Sequence, residues 1–484
     1  MDMISHLCQL QELAPERVLF EAEGRALSAR RLFEQATALS ASLRAQGIGP
    51  GHNVAVHLPR GMSAVVAIYG ILCSGSCYVP LDSSGPSERT AHIVRDCQCR
   101  AVIGERQMPQ WDLQEDIQTI DLTDLAVQNN SFETVHLSDP EDNAAILYTS
   151  GSTGMPKGVV ISHRALSAFS HWSQDTFGIR TSDRIANLAP FNFDLSLFDL
   201  FSGPCAGATT CIIPDRLKLA PAKLVDWLGQ NSITIWYTVP SMLGFITAKG
   251  GLHKKSLPDL RQILFAGEVF PTSGLINLSQ LLPDTLFFNL FGPTETNVCL
   301  FWPVDRDRLV AKQAIPIGRP ACGAEARIEP EHGELLIKGP CLMSGYWNNA
   351  EPVLPVDDGG WLHTGDKVSI NAAGEFEYHG RLDRMIKSAG YRIEPAEIEQ
   401  ILNAVTGVIS TAVVAIPDPV SGARIAAAIS GADTDMQALR IHANQRLPSY
   451  MRPSFYLVMD KMLYLPNGKT DYQRIIQTIE SQLS

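Results

Sequence analysis

Residues 147–158, Leu-Tyr-Thr-Ser-Gly-Ser-Thr-Gly-Met-Pro-Lys-Gly, constrain this chain more than any other stretch. An apolar run of strand type, Ala144 to Tyr148, precedes the loop, and a second, Val159-Val160-Ile161, follows it. The pattern predicts strand, loop, strand. Five hydroxyls, three glycines and one lysine fall within these twelve residues. Glycine lets backbone approach an anion closely, and N–H groups, hydroxyls and a lysine suit phosphate oxygens. The loop is not a Walker A loop, which needs Gly-Lys-Ser/Thr opening a helix; here Lys157 is followed by Gly158 and a strand. An ordinary polar hairpin is the plain alternative, and it has no need of so many residues of this kind.

The loop resembles the phosphate loop of the adenylate-forming superfamily, which comprises acyl-CoA synthetases, luciferases and the adenylation domains of peptide synthetases. The resemblance implies ATP contacts from Thr149, Ser150, Gly151, Ser152, Thr153, Gly154 and Lys157. Partner motifs follow in family order. Residues 291–296, Phe-Gly-Pro-Thr-Glu-Thr, come after a strand expected over Thr285 to Leu290. By resemblance, Phe291 stacks on adenine, Thr294 meets the α-phosphate and Glu295 binds magnesium, with Gly267, Glu268, Asn289, Gly292 and Tyr378 around the nucleotide. A carboxylate suits a hard cation; a Gly-Pro turn with a capping Thr is the bland reading of the same residues. Asp366, in Trp361-Leu362-His363-Thr364-Gly365-Asp366, is implied to accept from the ribose hydroxyls. Arg381 is implied to face ribose and phosphate, and Asp383 matches the hinge. Gly390-Tyr391-Arg392-Ile393-Glu394 continues the pattern, and Lys469, in Leu465-Pro466-Asn467-Gly468-Lys469, matches the catalytic lysine. These motifs run from about 145 to 470, so the resemblance covers nearly the whole chain. Ser388-Ala389 departs from it, since many relatives carry a bulkier or charged pair there; this bears on the surface for thioester transfer.

The 484 residues, 45% of them hydrophobic, suffice for more than one core. A helix from Ser28 to Gln46, a strand from Val54 to Leu58, a helix from Ala64 to Ile71 and a strand ending at Tyr78-Val79-Pro80 alternate. Such alternation makes the fold α/β, with a mostly parallel sheet covered by helices. The resemblance implies a large N-terminal part of mixed sheets flanked by helices over 1–382, binding ATP and amino acid. It implies a small mobile α/β lid over 383–484 that carries Lys469. Further strands are expected over Thr234 to Tyr237, Gln262 to Phe265 and Ala412 to Ile416, with helices over Pro395 to Ala404 and Met436 to Gln445.

A net charge of −12 argues against nucleic acid as a partner. The ten cysteines are scattered without zinc spacing, which suits a reducing cytoplasm. Gly61 to Pro80 is free of charge and nominally long enough to span a membrane, but its glycines, serines and terminal proline favour a buried helix and strand. No secretion signal opens the chain, so a cytoplasmic protein with no membrane partner is expected.

Asp194, in Phe193-Asp194-Leu195-Ser196, fits the place where peptide-synthetase adenylation domains hold the substrate's α-amino group. It also suits the cap of a helix from Leu195 to Phe201, and the two roles are compatible. Distances from the motifs put the family's pocket on Asp194, Leu195, Phe198, Tyr237, Leu264, Ala266, Leu290, Val298 and Cys299, with Lys469 at the carboxylate. That set describes a small apolar cavity with one acid for an amine. It looks like that of enzymes loading L-proline onto a carrier protein in pyrrole and anatoxin-type pathways; valine and pipecolate are the close alternatives.

The resemblance implies that the carboxylate attacks the α-phosphate of ATP, with Lys157, Lys469 and Mg²⁺ offsetting charge, and that a thiol then takes the acyl group. No carrier-protein segment with a phosphopantetheine serine is found, so the thiol is expected from a separate carrier protein or from coenzyme A. Arg381, Arg384, Lys387 and Arg392 put basic charge near the hinge, where an acidic carrier could be steered or ATP could be faced. An acyl- or aryl-CoA ligase, which has no ammonium to neutralise, is disfavoured by Asp194. A catalytically dead binding protein is disfavoured by the intact Lys157, Glu295, Asp366, Arg381 and Lys469.

Overall fold

The computed structural model describes residues 2–105, 111, 117–122, 135–151, 154–255, 257–348, 351–418, 422–431, 434–465 and 470–483. Ser152, Thr153 and Lys469 lie outside the described residues.

Two large sheets organise the N-terminal three quarters. In the nine-stranded sheet, Leu286–Phe291, Gln262–Phe265, Ile235–Thr238, Arg184–Asn187, Thr209–Ile212 and Val18–Ala22 run parallel in that order, with antiparallel strands at both edges. In the eight-stranded sheet, Gln118–Asp121, Ala101–Gly104, Asn53–His57, Cys77–Pro80 and Asn143–Thr149 are parallel, and Lys157–Ser162 turns back antiparallel. The helices Ala29–Ala45 and Met62–Cys73 share one core with both sheets. Ser28 caps the first, its hydroxyl accepting from the Arg31 N–H. The second is apolar all round and accordingly buried from Ala64 to Cys73; with the strand Cys77–Pro80 it accounts for the charge-free stretch. No helix among the described residues is long and apolar enough to cross a membrane.

Strand periodicity decides which side chains reach the site. Along Ile235–Thr238, Tyr237 faces the core between the sheets, whereas Trp236 faces the helices Pro221–Gln230 and Pro240–Lys249 on the other side. The same alternation puts Leu264 inward and Ile263 and Phe265 outward.

An antiparallel sheet of Glu325–Ile328, Glu334–Lys338, Leu362–Ile370 and Phe376–Arg381 leads to the expected hinge. From Ile386 onward the chain has two apolar clusters of its own. They surround a three-stranded sheet, Ser410–Asp418, Gly422–Ser430 and Phe455–Met459, with helices Pro395–Asn403, Met436–Arg446 and Tyr472–Leu483.

One local expectation fails. Instead of an α-helix from Leu195 to Phe201, a turn leads into a π-helix, Phe198–Ser202. Pro204 has no N–H to give to the Leu200 carbonyl, and that carbonyl accepts from Tyr69 Oη at 2.7 Å instead. Asp194 caps no helix there.

Candidate active site

The strand ends at Leu290–Phe291, Phe265–Ala266 and Tyr237–Thr238 open onto a cavity of about 660 Å³ between the large sheets and the C-terminal part. Ligands in parallel α/β sheets sit beyond the carboxyl ends of the strands for this reason. Of the residues expected around an amino acid, Asp194, Leu195, Tyr237, Ala266 and Leu290 line it. Phe198, Leu264, Val298 and Cys299 are fully buried behind that wall rather than on it. Phe198 sets the position of Tyr237 through an edge-on ring contact at 5.6 Å. Asn297, which sequence reasoning did not single out, lines the cavity with its amide nitrogen buried and unpartnered.

Asp194 is the acid of this cavity. Its Oδ2 accepts from the Thr294 hydroxyl at 2.7 Å, and among the described residues no cation forms an ion pair with it. Burial raises its carboxyl to about 6, against the lowering effect of the Thr294 hydrogen bond.

The residues expected around a nucleotide form the adjoining wall. Gly267, Glu268, Asn289, Phe291, Gly292, Thr294, Tyr378 and Arg381 all border the cavity. The Phe291 and Tyr378 rings stand 5.6 Å apart, and Lys387 Nζ lies 4.9 Å from the Phe291 centroid. Asp366 is fully buried, with Arg381 Nη1 at 3.0 Å and Lys387 Nζ at 3.5 Å. Arg381 also grips Asp383 with two hydrogen bonds of 2.9 and 2.6 Å.

In the phosphate loop, a side chain at Gly151 would meet the Met155 carbonyl at 1.9 Å, so the loop closes only with glycine there. The Thr149 hydroxyl is buried without a partner, a donor left over for a ligand. Lys157 Nζ lies 3.5 Å from Glu295 and donates to the Tyr346 hydroxyl at 3.0 Å. Tyr346 Oη in turn donates to Glu295. Burial alone would raise the Glu295 carboxyl, but Arg392 and then Lys157 outweigh it and hold it at about 2.

The hairpin Ile386–Ser388 and Tyr391–Ile393 fills the remaining side. Its two-residue turn puts Ala389 at φ +49° and Gly390 at φ +80°, as a turn of this hand requires. Gly390 N–H donates to Glu268 at 3.0 Å, and a side chain at Gly390 would meet Val239 at 2.4 Å. Ser150 Oγ donates to the Arg392 carbonyl at 2.7 Å and accepts from Glu394 N–H at 3.0 Å. Arg392 Nη1 contacts both oxygens of Glu295, at 2.8 and 2.7 Å.

The basic residues for which steering a carrier and facing ATP both stood open are therefore mostly engaged inside the molecule. Arg381, Lys387 and Arg392 are turned into the site, and Arg384 pairs with Glu399 and covers the Tyr472 ring. Tyr346 was not singled out from the sequence, and nothing local marks it.

The AMP-binding enzyme family matches residues 9–347, and the AMP-binding enzyme C-terminal domain matches residues 397–469. The chain belongs to this family. It is 36% identical to an L-proline–[L-prolyl-carrier protein] ligase of Streptomyces coelicolor over 475 residues, 90% of this chain and 89% of that protein. A protein of the same description from Pseudomonas fluorescens is 33% identical over 492 residues, 96% of this chain and 97% of that one. An o-succinylbenzoate CoA synthetase of Bacillus subtilis shares the fold, with a TM-score of 0.87 at 22% identity over 99% of this chain and 98% of that one. AMP-binding enzymes use ATP. In this one, the orphaned Thr149 hydroxyl, Lys157 and the paired Phe291 and Tyr378 rings suit phosphate and base. Glu295, ionised and presenting carboxylate oxygens, suits a magnesium ion.

Proposed function

We propose that this enzyme activates L-proline with ATP as prolyl-adenylate and passes the prolyl group to the phosphopantetheine thiol of a separate carrier protein. One observation carries the reading. Asp194 is a buried carboxylate, with no ion-paired cation among the described residues, in a cavity otherwise lined on that side by Leu195, Tyr237, Ala266 and Leu290. An uncharged acyl or aryl chain would leave that charge unpaired, whereas a substrate ammonium neutralises it. The absence of a second charge among these residues favours a compact apolar side chain. Two relatives named as L-proline–[L-prolyl-carrier protein] ligases support the choice of proline and of a carrier.

In the first half-reaction a proline carboxylate oxygen bonds to the α-phosphorus and pyrophosphate leaves. Lys157, and Lys469 from the lid, offset the charge brought together there. A magnesium ion held by Glu295 would supply further offset for the triphosphate. In the second half-reaction the thiol sulfur bonds to the acyl carbon, its proton is lost and AMP departs. Division into a body over 1–382 and a lid over 383–484, hinged at Asp383, lets one site serve both steps. The seating of the hairpin suits the second step: the Gly390 turn lies against Glu268, and Arg392 neutralises the Glu295 carboxylate. All ten cysteines are free thiols, which suits work in the cytoplasm.

An amino-acid panel in ATP–pyrophosphate exchange tests this. Proline should lead, with valine and pipecolate behind it; faster exchange with benzoate or a fatty acid would refute the role given to Asp194.

A further inference from the structure

The helix Ser87–Asp96 packs on the outer face of the eight-stranded sheet through Ile93 and Val94 and contributes nothing to the cavity wall. Two charges near its start nonetheless reach the C-terminal part. Arg446 pairs with Glu88, and Arg89 Nη1 donates to Glu397 Oε1. These pairs are physically different. The Arg446 and Glu88 side chains are 46% and 65% exposed, so their attraction is screened. The Arg89 and Glu397 side chains are 13% and 2% exposed, and the second oxygen of Glu397 has no hydrogen-bond partner at all.

Glu397 stands in the first turn of the helix Pro395–Asn403, directly after the hairpin that enters the active site. Aromatic rings also hold the hairpin: Tyr391 stacks on Phe193 at 5.5 Å and on Tyr450 at 3.8 Å. The remaining polar contacts that seat the hairpin use Ser150, Glu268, Glu295 and Asp366, all assigned above to the nucleotide or to magnesium. Arg89 has no such second duty. A buried ion pair adds little net stability when both charges can regain water, but removing one partner strands the other. Any seating of the hairpin that buries Glu397 therefore needs Arg89 opposite it.

We propose that Arg89 is a positioning residue for the second half-reaction: through Glu397 it selects the lid orientation in which the hairpin enters the site, and it takes no part in forming the adenylate. The inference rests on the two-position reading of the lid given above.

The test uses the full-length enzyme with holo carrier protein. Each variant is measured by ATP–pyrophosphate exchange and by single-turnover transfer from enzyme-bound aminoacyl-adenylate to the carrier. Arg89→Ala should keep exchange within about twofold of wild type while transfer falls about tenfold or more, because Glu397 is left buried and unpaired. With Glu397→Gln already in place, adding Arg89→Ala should cost transfer much less, since no charge is then stranded. A general packing role would not produce that recovery. Arg89→Gln, which keeps the volume, serves if the alanine variant fails to fold. Unchanged transfer in Arg89→Ala would overturn the proposal, as would equal loss in both assays with no recovery in the double variant. Failure of the proline reading would show in the wild-type exchange panel before any variant is made, and the variants are then assayed with the acid that panel selects.

Discussion

Asp194→Asn separates function from stability. Asparagine keeps the size of the side chain and can still accept from the Thr294 hydroxyl, so packing at the site is preserved. The lost element is the charge that faces the substrate ammonium. Stranding one member of a buried pair costs about 3–5 kcal/mol. At 1.36 kcal/mol per factor of ten, kcat/KM for proline should fall about a hundredfold to a few thousandfold. The same change should stabilise the empty enzyme. The folded protein holds this carboxyl at about 6 against 3.8 in the open chain. A raised acid destabilises the fold wherever it is ionised: the penalty is absent below pH 3.8, grows between 3.8 and about 6, and is complete above that. At pH 8 the penalty amounts to about 3 kcal/mol, and asparagine removes it. The assays are pyrophosphate exchange from pH 5 to 8 and thermal unfolding at pH 8. Wild-type kcat/KM should decline as pH falls through about 6, because protonated Asp194 cannot pair with an ammonium. A variant within a few-fold of wild-type exchange would refute the contact with the amine. A variant that melts below wild type at pH 8 would show that Asp194 already has a cationic partner and refute the stability argument.

Three other outcomes are expected. Gly390→Ala should spare exchange but slow transfer to the carrier by at least about tenfold, since the new methyl meets Val239 at 2.4 Å and the turn needs φ +80°; equal rates in both assays would show that the hairpin need not seat this way. Lys469→Ala should nearly abolish adenylate formation while supplied prolyl-adenylate is still transferred, and parallel loss of both activities would exclude a role confined to the first step. Proline should outpace alanine by about 1–3 kcal/mol per missing methylene, phenylalanine should be excluded by Leu195, Tyr237 and Leu290, and the carrier thiol should be preferred to coenzyme A; efficient prolyl-coenzyme A formation without carrier would contradict the last point.

Most of the framework was legible because its signals are local. Short continuous apolar runs at Ile235–Thr238 and Gln262–Phe265 mark strands buried on both faces, and Ser28 and Pro395 mark helix starts. The π-helix Phe198–Ser202 was not, because the missing Pro204 N–H is answered by Tyr69, 131 residues from the carbonyl it caps. Lys387 and Arg392 carry a signal that sequence reasoning could have used. A two-residue turn at Ala389-Gly390 makes them direct cross-strand neighbours, and like charges placed opposite each other disfavour a hairpin. Such a hairpin persists only if acids elsewhere divide the charges between them. Asp366 takes one and Glu295, 97 residues from Arg392, takes the other. The facing cations thus call for two buried carboxylates on the strength of the turn alone, although which carboxylates answer them depends on how the chain brings distant segments together.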